Sequence, residues 1–153
     1  MTFPKKIPIE RIERYHTHYL GNTQDGNQFW GYATFNYSKN YDEIIKINGD
    51  YRDFRNEYAI VHVFNKEGQH LDTKYCLVGT AKQIDDIAVF TKLEELISEL
   101  GEIEFNDIEV EPFEIKIDDI IFGLIPNYEY GFIELQPNST LAFGEPWDGS
   151  YST

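Results

Sequence analysis

DDIIFGLIPNYEYGFIELQPNSTLAFGEPWDG, spanning Asp118–Gly149, decides how this chain folds. Apolar runs of strand length, Ile120 to Ile125, Phe132 to Leu135 and Thr140 to Phe143, alternate there with proline, glycine and asparagine. Gly and Asn accept the backbone angles of tight turns and Pro cannot donate to a ladder, so the pattern reads as consecutive short antiparallel strands. Asp118-Asp119 supplies the entry turn. Trp147 reads as a cap folded back on the core, because an aromatic of that size gains most by burying its area. The whole stretch reads as a wall onto which the rest of the protein packs.

Working upstream, period two continues through Ile103, Phe105, Ile108, Val110, Phe113, Ile115 and Ile117. Phase slips at Asn106-Asp107 and Glu111-Pro112 predict a turn or bulges. Before that the period changes. Leu93, Leu96, Ile97 and Leu100 recur at helical spacing with acids on the other face. The spacing predicts a helix over Lys92–Leu100, with Thr91 as its N-cap, Glu94 completing a capping box and Gly101 at the left-handed C-terminal position. Thr80 to Ala88 reads as a short preceding helix. Tyr58 to Phe64 and His70 to Val78 flank Asn65-Lys66-Glu67-Gly68, a hairpin whose glycine takes the left-handed position.

Nearer the N-terminus, Arg14 to Leu20 and Gln28 to Tyr37 read as a first hairpin about the turn NTQDGN. Gly31 inside its second strand marks a bulge or a close backbone approach. Ser38 to Asn56 is the least regular part: YDEIIKINGDYRDF has room for one helical turn before Asn48-Gly49 forces a turn. Both a functional loop and a merely ordered connection are allowed there, with the length leaning toward function. Residues 1–13, with Pro4 and Pro8, read as an extended N-terminal arm. The sum is a single α+β domain over residues 1–153: mainly an antiparallel sheet of hairpins, about seven to nine strands, with one firm helix (92–100) between two strand-rich halves.

Composition narrows the partners. The chain has 153 residues, a formal net charge of −14 and 16% aromatic residues. The acids are concentrated: residues 94–119 hold eleven Asp and Glu against Lys116 alone, whereas residues 1–82 are nearly balanced. That sign opposes a phosphate backbone, so nucleic acid is not an expected partner. No apolar run approaches a membrane span and MTFPKKIPIERIE lacks the apolar core of a secretion signal, so a cytoplasmic protein without membrane association is expected. The single cysteine, Cys76, excludes an internal disulfide and reads as a buried, inert strand residue.

On a strand, Glu102 and Glu104, or Glu109 and Glu111, would lie on one side, ~6.6 Å apart at the backbone. Such a row is either a solvated outer face or a docking surface for a basic protein, and these four are the candidate partner-binding residues. Calcium needs roughly six to eight converging oxygens, which a flat row does not provide. His16-x-His18 would put two imidazoles on one strand face, with His62 and His70 on the other hairpin. Two histidines without a third ligand do not make a metal site, so no metal and no cofactor is expected. The chain carries no nucleophile elbow, P-loop or dinucleotide fingerprint. No catalytic residue is assigned, and the balance is against an enzyme.

The segments EYAIVHVFNKEGQHL (57–71), KLEELISELGEIEFNDIEV (92–110), FGLIP (122–126) and IELQPNSTLAFGEPWDGSYST (133–153) resemble a bacterial family of small acidic proteins labelled formate hydrogenlyase regulatory protein. The resemblance implies a regulatory or interaction role and carries no site residue with it. The expectation is a non-enzymatic acidic binding or regulatory protein, acting through protein–protein contacts of the 94–119 face with a basic partner. A toxin-neutralising immunity protein is the alternative within that class. An alternative of a different class is a small-ligand binder or enzyme with a Tyr- and Phe-lined cavity around Ser38–Asn56. A pocket with converging polar groups would favour the last, and a convex acidic surface the first.

Overall fold

Successive side chains of a strand point to opposite faces, so a strand that is apolar throughout needs a layer on both sides. The computed structural model describes residues 2–153 and provides those layers. In chain order the elements are β1 (Ile7–Ile9), β2 (Tyr19–Thr23), β3 (Gln28–Tyr37), α1 (Tyr41–Lys46), a 3-10 turn (Tyr51–Asp53), β4 (Arg55–Phe64) and β5 (His70–Thr80). Then come α2 (Asp86–Ser98), β6 (Ile103–Phe105), β7 (Ile108–Val110), β8 (Phe113–Ile117), β9 (Ile120–Asn127), β10 (Phe132–Gln136) and β11 (Ala142–Phe143). All strand pairings are antiparallel.

The α+β, antiparallel expectation holds, but the single sheet of seven to nine strands is corrected. Among the described residues there are three sheets: five strands ordered β5-β4-β3-β2-β6, four ordered β11-β10-β9-β8, and a β1-β7 ribbon. The two phase slips between Ile103 and Phe113 are neither turns within one sheet nor bulges. They are the points where the chain changes sheet: β6 pairs with β2, β7 with β1 and β8 with β9.

β3 and β4 sit at the centre. One face sends Trp30, Tyr32, Tyr58, Ile60 and Phe64 into a core shared with Phe122, Leu124, Ile133, Leu135 and Phe143 of the four-stranded sheet. Ile7, Ile9, Ile108 and Val110 of the ribbon close the same core. The other face sends Phe29, Ala59, Val61 and Val63 against Leu93 and Ile97 of α2. The layers are therefore helix, sheet, sheet. Each fully buried large aliphatic contributes about 1.5–3 kcal/mol relative to exposure. Gly31 lets α2 sit close, since a Cβ there would stand 3.0 Å from Ile97 Cδ1 and 3.2 Å from Leu93 Cδ1. It stays in register with both Tyr19 and Val61, so it marks a close approach and not a bulge.

The 118–149 stretch folds as read, into β9, β10 and β11. Ile117 pairs with Ile120 across Asp118 and Asp119, both at positive φ (54° and 64°), the two-residue turn whose twist matches a hairpin. Trp147 is half-buried against the first core and meets Phe3 edge-to-face at 6.0 Å. Gly68 takes the left-handed position (φ 93°) in the β4–β5 hairpin.

Other expectations are revised. The helix begins at Asp86, capped by the Asp85 side chain on the Ala88 N–H (3.0 Å), so Thr91 is interior and the 92–100 span was too short at its start. Val89 carries the buried stripe back one turn. The N-terminal arm is built in: Ile7 and Ile9 are fully buried and pair with β7. Cys76 is half-exposed on β5, an outer strand of its sheet, and not buried.

One polar chain crosses the first core. Tyr32 Oη lies 2.8 Å from His62 Nε2, His62 Nδ1 lies 2.8 Å from Thr73 Oγ1, and Thr73 Oγ1 lies 2.7 Å from His70 Nε2. Only one direction of donation satisfies each hydrogen: Tyr32 donates to His62, His62 to Thr73, and Thr73 to His70. The reverse leaves the buried Tyr32 O–H with no acceptor, which costs more than an unused lone pair. Burial, and secondarily His70, pushes the His62 pKa down to about 3 from 6.5. Between those values the unfolded chain binds a proton that the folded chain refuses. Stability present at neutral pH is therefore lost with acid, at ~1.4 kcal/mol per pH unit for one proton. Urea unfolding at about pH 7 and about pH 4.5 should show this loss. The double variant Tyr32→Phe/His62→Leu removes the titrating ring and its donor together, and should flatten the slope by about one proton; an unchanged slope would exclude His62 as the source.

Candidate functional site

A length mismatch between neighbouring strands leaves a concavity beside β3. β3 pairs with β4 along its whole length, from Gln28 to Tyr37. β2 covers the other edge of β3 only from Gln28 to Gly31, where Tyr19 ends the pairing. Upstream of Tyr19 the chain cannot continue straight because Thr17 anchors a turn. Its fully buried hydroxyl donates to the Glu10 carbonyl (2.8 Å) and accepts the Ile12 N–H (2.9 Å). Backbone bonds from Tyr15 N to Ile12 O (3.2 Å) and His18 N to Tyr15 O (3.0 Å) complete it.

A half-open groove of about 570 Å³ results, with Gly31 to Phe35 of β3 along its length. Small residues, Gly31 and Ala33, keep its floor low. Val89, Phe90 and Leu93 of α2 form one wall, and Arg14, Tyr15, His16, His18 and Tyr19 of the turn segment form the end. Arg55, Glu57, Asp86 and Thr140 complete the lining.

Both charge signs are held in place. Arg55 Nε donates to Glu57 Oε1 at 2.6 Å, and its guanidinium lies 3.7 Å from the centre of the Phe35 ring. Burial works against the Arg55 charge, but the hydrogen bond and ion pair with Glu57 outweigh it and hold its pKa above the ordinary value. The Arg14 N–H donates to His18 Nδ1 (2.9 Å), which puts the proton of the neutral ring on Nε2. The Tyr19 hydroxyl donates to Glu94 Oε1 (2.9 Å), tying β2 to α2; burial first, then Glu94, pushes its pKa up to about 12. Aromatic walls with a fixed Arg–Glu pair are equipment for holding a ligand that has an apolar body and polar groups.

The acidic residues are not brought onto one strand face. Glu104 lies on β6, beside β2 in the five-stranded sheet, and Glu102 precedes it. Glu109 lies on β7 in the ribbon and pairs with Lys6 at 3.5 Å. Glu111 is half-buried in the link to β8, its N–H bound to the Gly68 carbonyl (2.9 Å). The sheet changes that break the phase also divide the row. Asp107 is engaged too, accepting the Arg11 N–H at 2.7 Å.

His16 and His18 stand in a turn and not on a strand, because the Thr17 anchor bends the chain before β2. The His16 carbonyl accepts the Trp30 Nε1–H (3.0 Å). His62 and His70 are brought together, ring centres 6.0 Å apart, by the Thr73 bridge. No group of three or more His, Cys, Asp or Glu among the described residues could hold a metal ion. Ser38–Asn56 holds the expected helical turn as α1 and adds the 3-10 turn, and the groove lies beside its end, at Arg55, not around it.

Sequence reasoning did not single out Phe35, Arg55, Glu57, Val89 or Phe90. The available signal was the pair of small residues Gly31 and Ala33 inside an aromatic strand. No protein-family model, no curated protein and no solved structure matches the chain. No helix among the described residues is long and apolar enough to cross a membrane.

Two of the groove's apolar wall residues should separate on truncation. Leu93 is fully buried and Phe90 is 47% exposed. Leu93→Ala should cost ~2–5 kcal/mol in urea unfolding. Phe90→Ala should cost under about 1 kcal/mol, as expected for a side chain that lines a surface groove.

Proposed function

We propose that this is a binding protein whose site is the groove between β3, α2 and the Arg14–Tyr19 segment. The observation that carries the reading is convergence: about 570 Å³ of concavity bounded by Phe35, Phe90, Tyr15 and Tyr19, with the Arg55–Glu57 pair set beside Phe35. Ligand sites are concave and mostly apolar, with a few placed polar groups that orient the ligand. The Arg55–Glu57 ion pair is already satisfied internally, so it offers a ligand hydrogen bonds from its rim and not an unpaired charge. The groove's role is retention and orientation, not turnover. Titration with 1-anilinonaphthalene-8-sulfonate should show saturable, single-site binding. Phe90→Glu should weaken it at least about tenfold, some 1.4 kcal/mol, with unchanged unfolding temperature. Non-saturable binding, or full binding by Phe90→Glu, would count against the groove.

The acidic surface supports a second reading, a regulatory or immunity-type protein that docks a basic protein. Its specific support is that Glu102 and Glu104 are exposed and, among the described residues, ion-pair with nothing. Charge of one sign at a rim steers encounter and is screened by salt over ~10 Å at 0.1 M. Replacing Glu102, Glu104, Glu109 and Glu111 by Lys should abolish pull-down of a basic partner seen at low salt and lost at high salt. Retained capture by the quadruple variant would remove this surface from consideration.

A further inference from the structure

The groove touches five consecutive residues of one strand, Gly31, Tyr32, Ala33, Thr34 and Phe35. Alternate residues of a strand face opposite sides of the sheet. A groove on one face would therefore meet every second residue. One that meets all five runs along the strand's edge.

Register shows which backbone groups that edge presents. In an antiparallel ladder, residues alternate between those directing N–H and C=O to one neighbour and those directing them to the other. The Thr23 N–H bonds the Asn27 carbonyl at 2.9 Å, and Gly21 and Tyr19 stand opposite Phe29 and Gly31. The odd-numbered residues of β3 thus point their backbone groups toward β2. Ala33 and Phe35 follow in the same phase, beyond the last β2 partner. The Phe35 carbonyl confirms the phase, since it points outward and accepts Asn138 Nδ2 at 2.6 Å. That contact also closes the far end. Between it and Tyr19, the N–H and C=O of Ala33 and the N–H of Phe35 face the groove with no neighbouring strand among the described residues.

Resting on the groove as the binding site, the geometry points to an extended peptide segment as its ligand, adding to β3 in line with β2. The open edge has room for about four residues at ~3.3 Å each. Ladder bonds to Ala33 and Phe35 supply affinity, and alternate side chains supply specificity. Residues of the peptide opposite Ala33 and Phe35 place their side chains on the α2 side. There they meet Val89, Phe90 and Leu93, so these positions take aliphatic or aromatic groups. The intervening residue faces Thr34 and Thr140 and is small and polar. The Arg55–Glu57 pair lies on the α2 side next to Phe35 and receives a polar group beyond the second apolar position.

The test uses the full chain and a pool of acetylated, amidated pentapeptides of pattern Ser-X-Thr-X-Ser, with Leu, Val or Phe at X. The tightest member is then remade with a single N-methyl group at each position in turn. The expected result is saturable binding that displaces 1-anilinonaphthalene-8-sulfonate and is lost in Phe90→Glu. N-methylation should weaken binding at least about tenfold at alternate positions and less than about twofold at the positions between. Methylation effects without that period-two pattern would overturn strand addition, as would a pool that does not bind while the dye still does. Both results leave the groove reading standing. Failure of peptide and dye together removes both. Peptide binding that survives Phe90→Glu would also overturn the proposal, by placing the peptide elsewhere, as on the outer edge of β5.

Discussion

β3 and β4 form an antiparallel ladder of ten registered pairs, from Gln28–Phe64 to Tyr37–Arg55, and both faces of the pair are covered over most of that length. The rest of the molecule is arranged around this double coverage. Each strand is apolar on both sides, so α2 must lie on one face and the four-stranded sheet on the other. Gly31 sets how near α2 can come, and Tyr58 and Trp30 fix the spacing to the second sheet. His62 is the one imidazole inside this arrangement. It is tolerated there because Tyr32 and Thr73 satisfy both ring nitrogens.

The groove follows from the same pairing. A ten-residue strand needs partners on both edges over its full length, but β2 supplies five residues and pairs with only the first part. Thr17 turns the chain away at the point where β2 could have been longer. α2, held by Leu93 and Ile97 farther along, adds Asp86, Val89 and Phe90 to the lining beside that edge. The floor of the groove belongs to a strand pair covered on both faces, and Phe90 and Tyr15 on its rim are exposed.

Much of the scaffold was legible in the sequence, and the reasons are local. Asp118-Asp119 between Ile117 and Ile120, and Asn65 to Gly68 between Phe64 and His70, specify hairpins through turn chemistry that acts over a few residues. The helix was legible from Leu93, Leu96, Ile97 and Leu100, but not its first turn. There Ile87 and Phe90 are exposed at 74% and 47% and mask the stripe that Val89 continues. That the acidic residues are divided among sheets was hidden for a related reason. Alternation records which side of its own strand a carboxylate takes, and is silent on whether two strands in succession share a sheet.

By itself, the sequence determined the class of fold, the order of hairpins and the place of the helix, and it marked Gly31 as special without choosing between a bulge and a close approach. These depend on turn geometry, periodicity and side-chain size, all properties of neighbouring residues. Only the tertiary structure decided that Ile103 to Ile117 serves three sheets, that His62 and His70 share Thr73, and that Arg55, Phe35 and Phe90 border one groove. Those facts depend on which strands pair and how far each pairing extends. That balance is struck between buried area and backbone hydrogen bonds over the whole chain, and no local stretch of residues contains it.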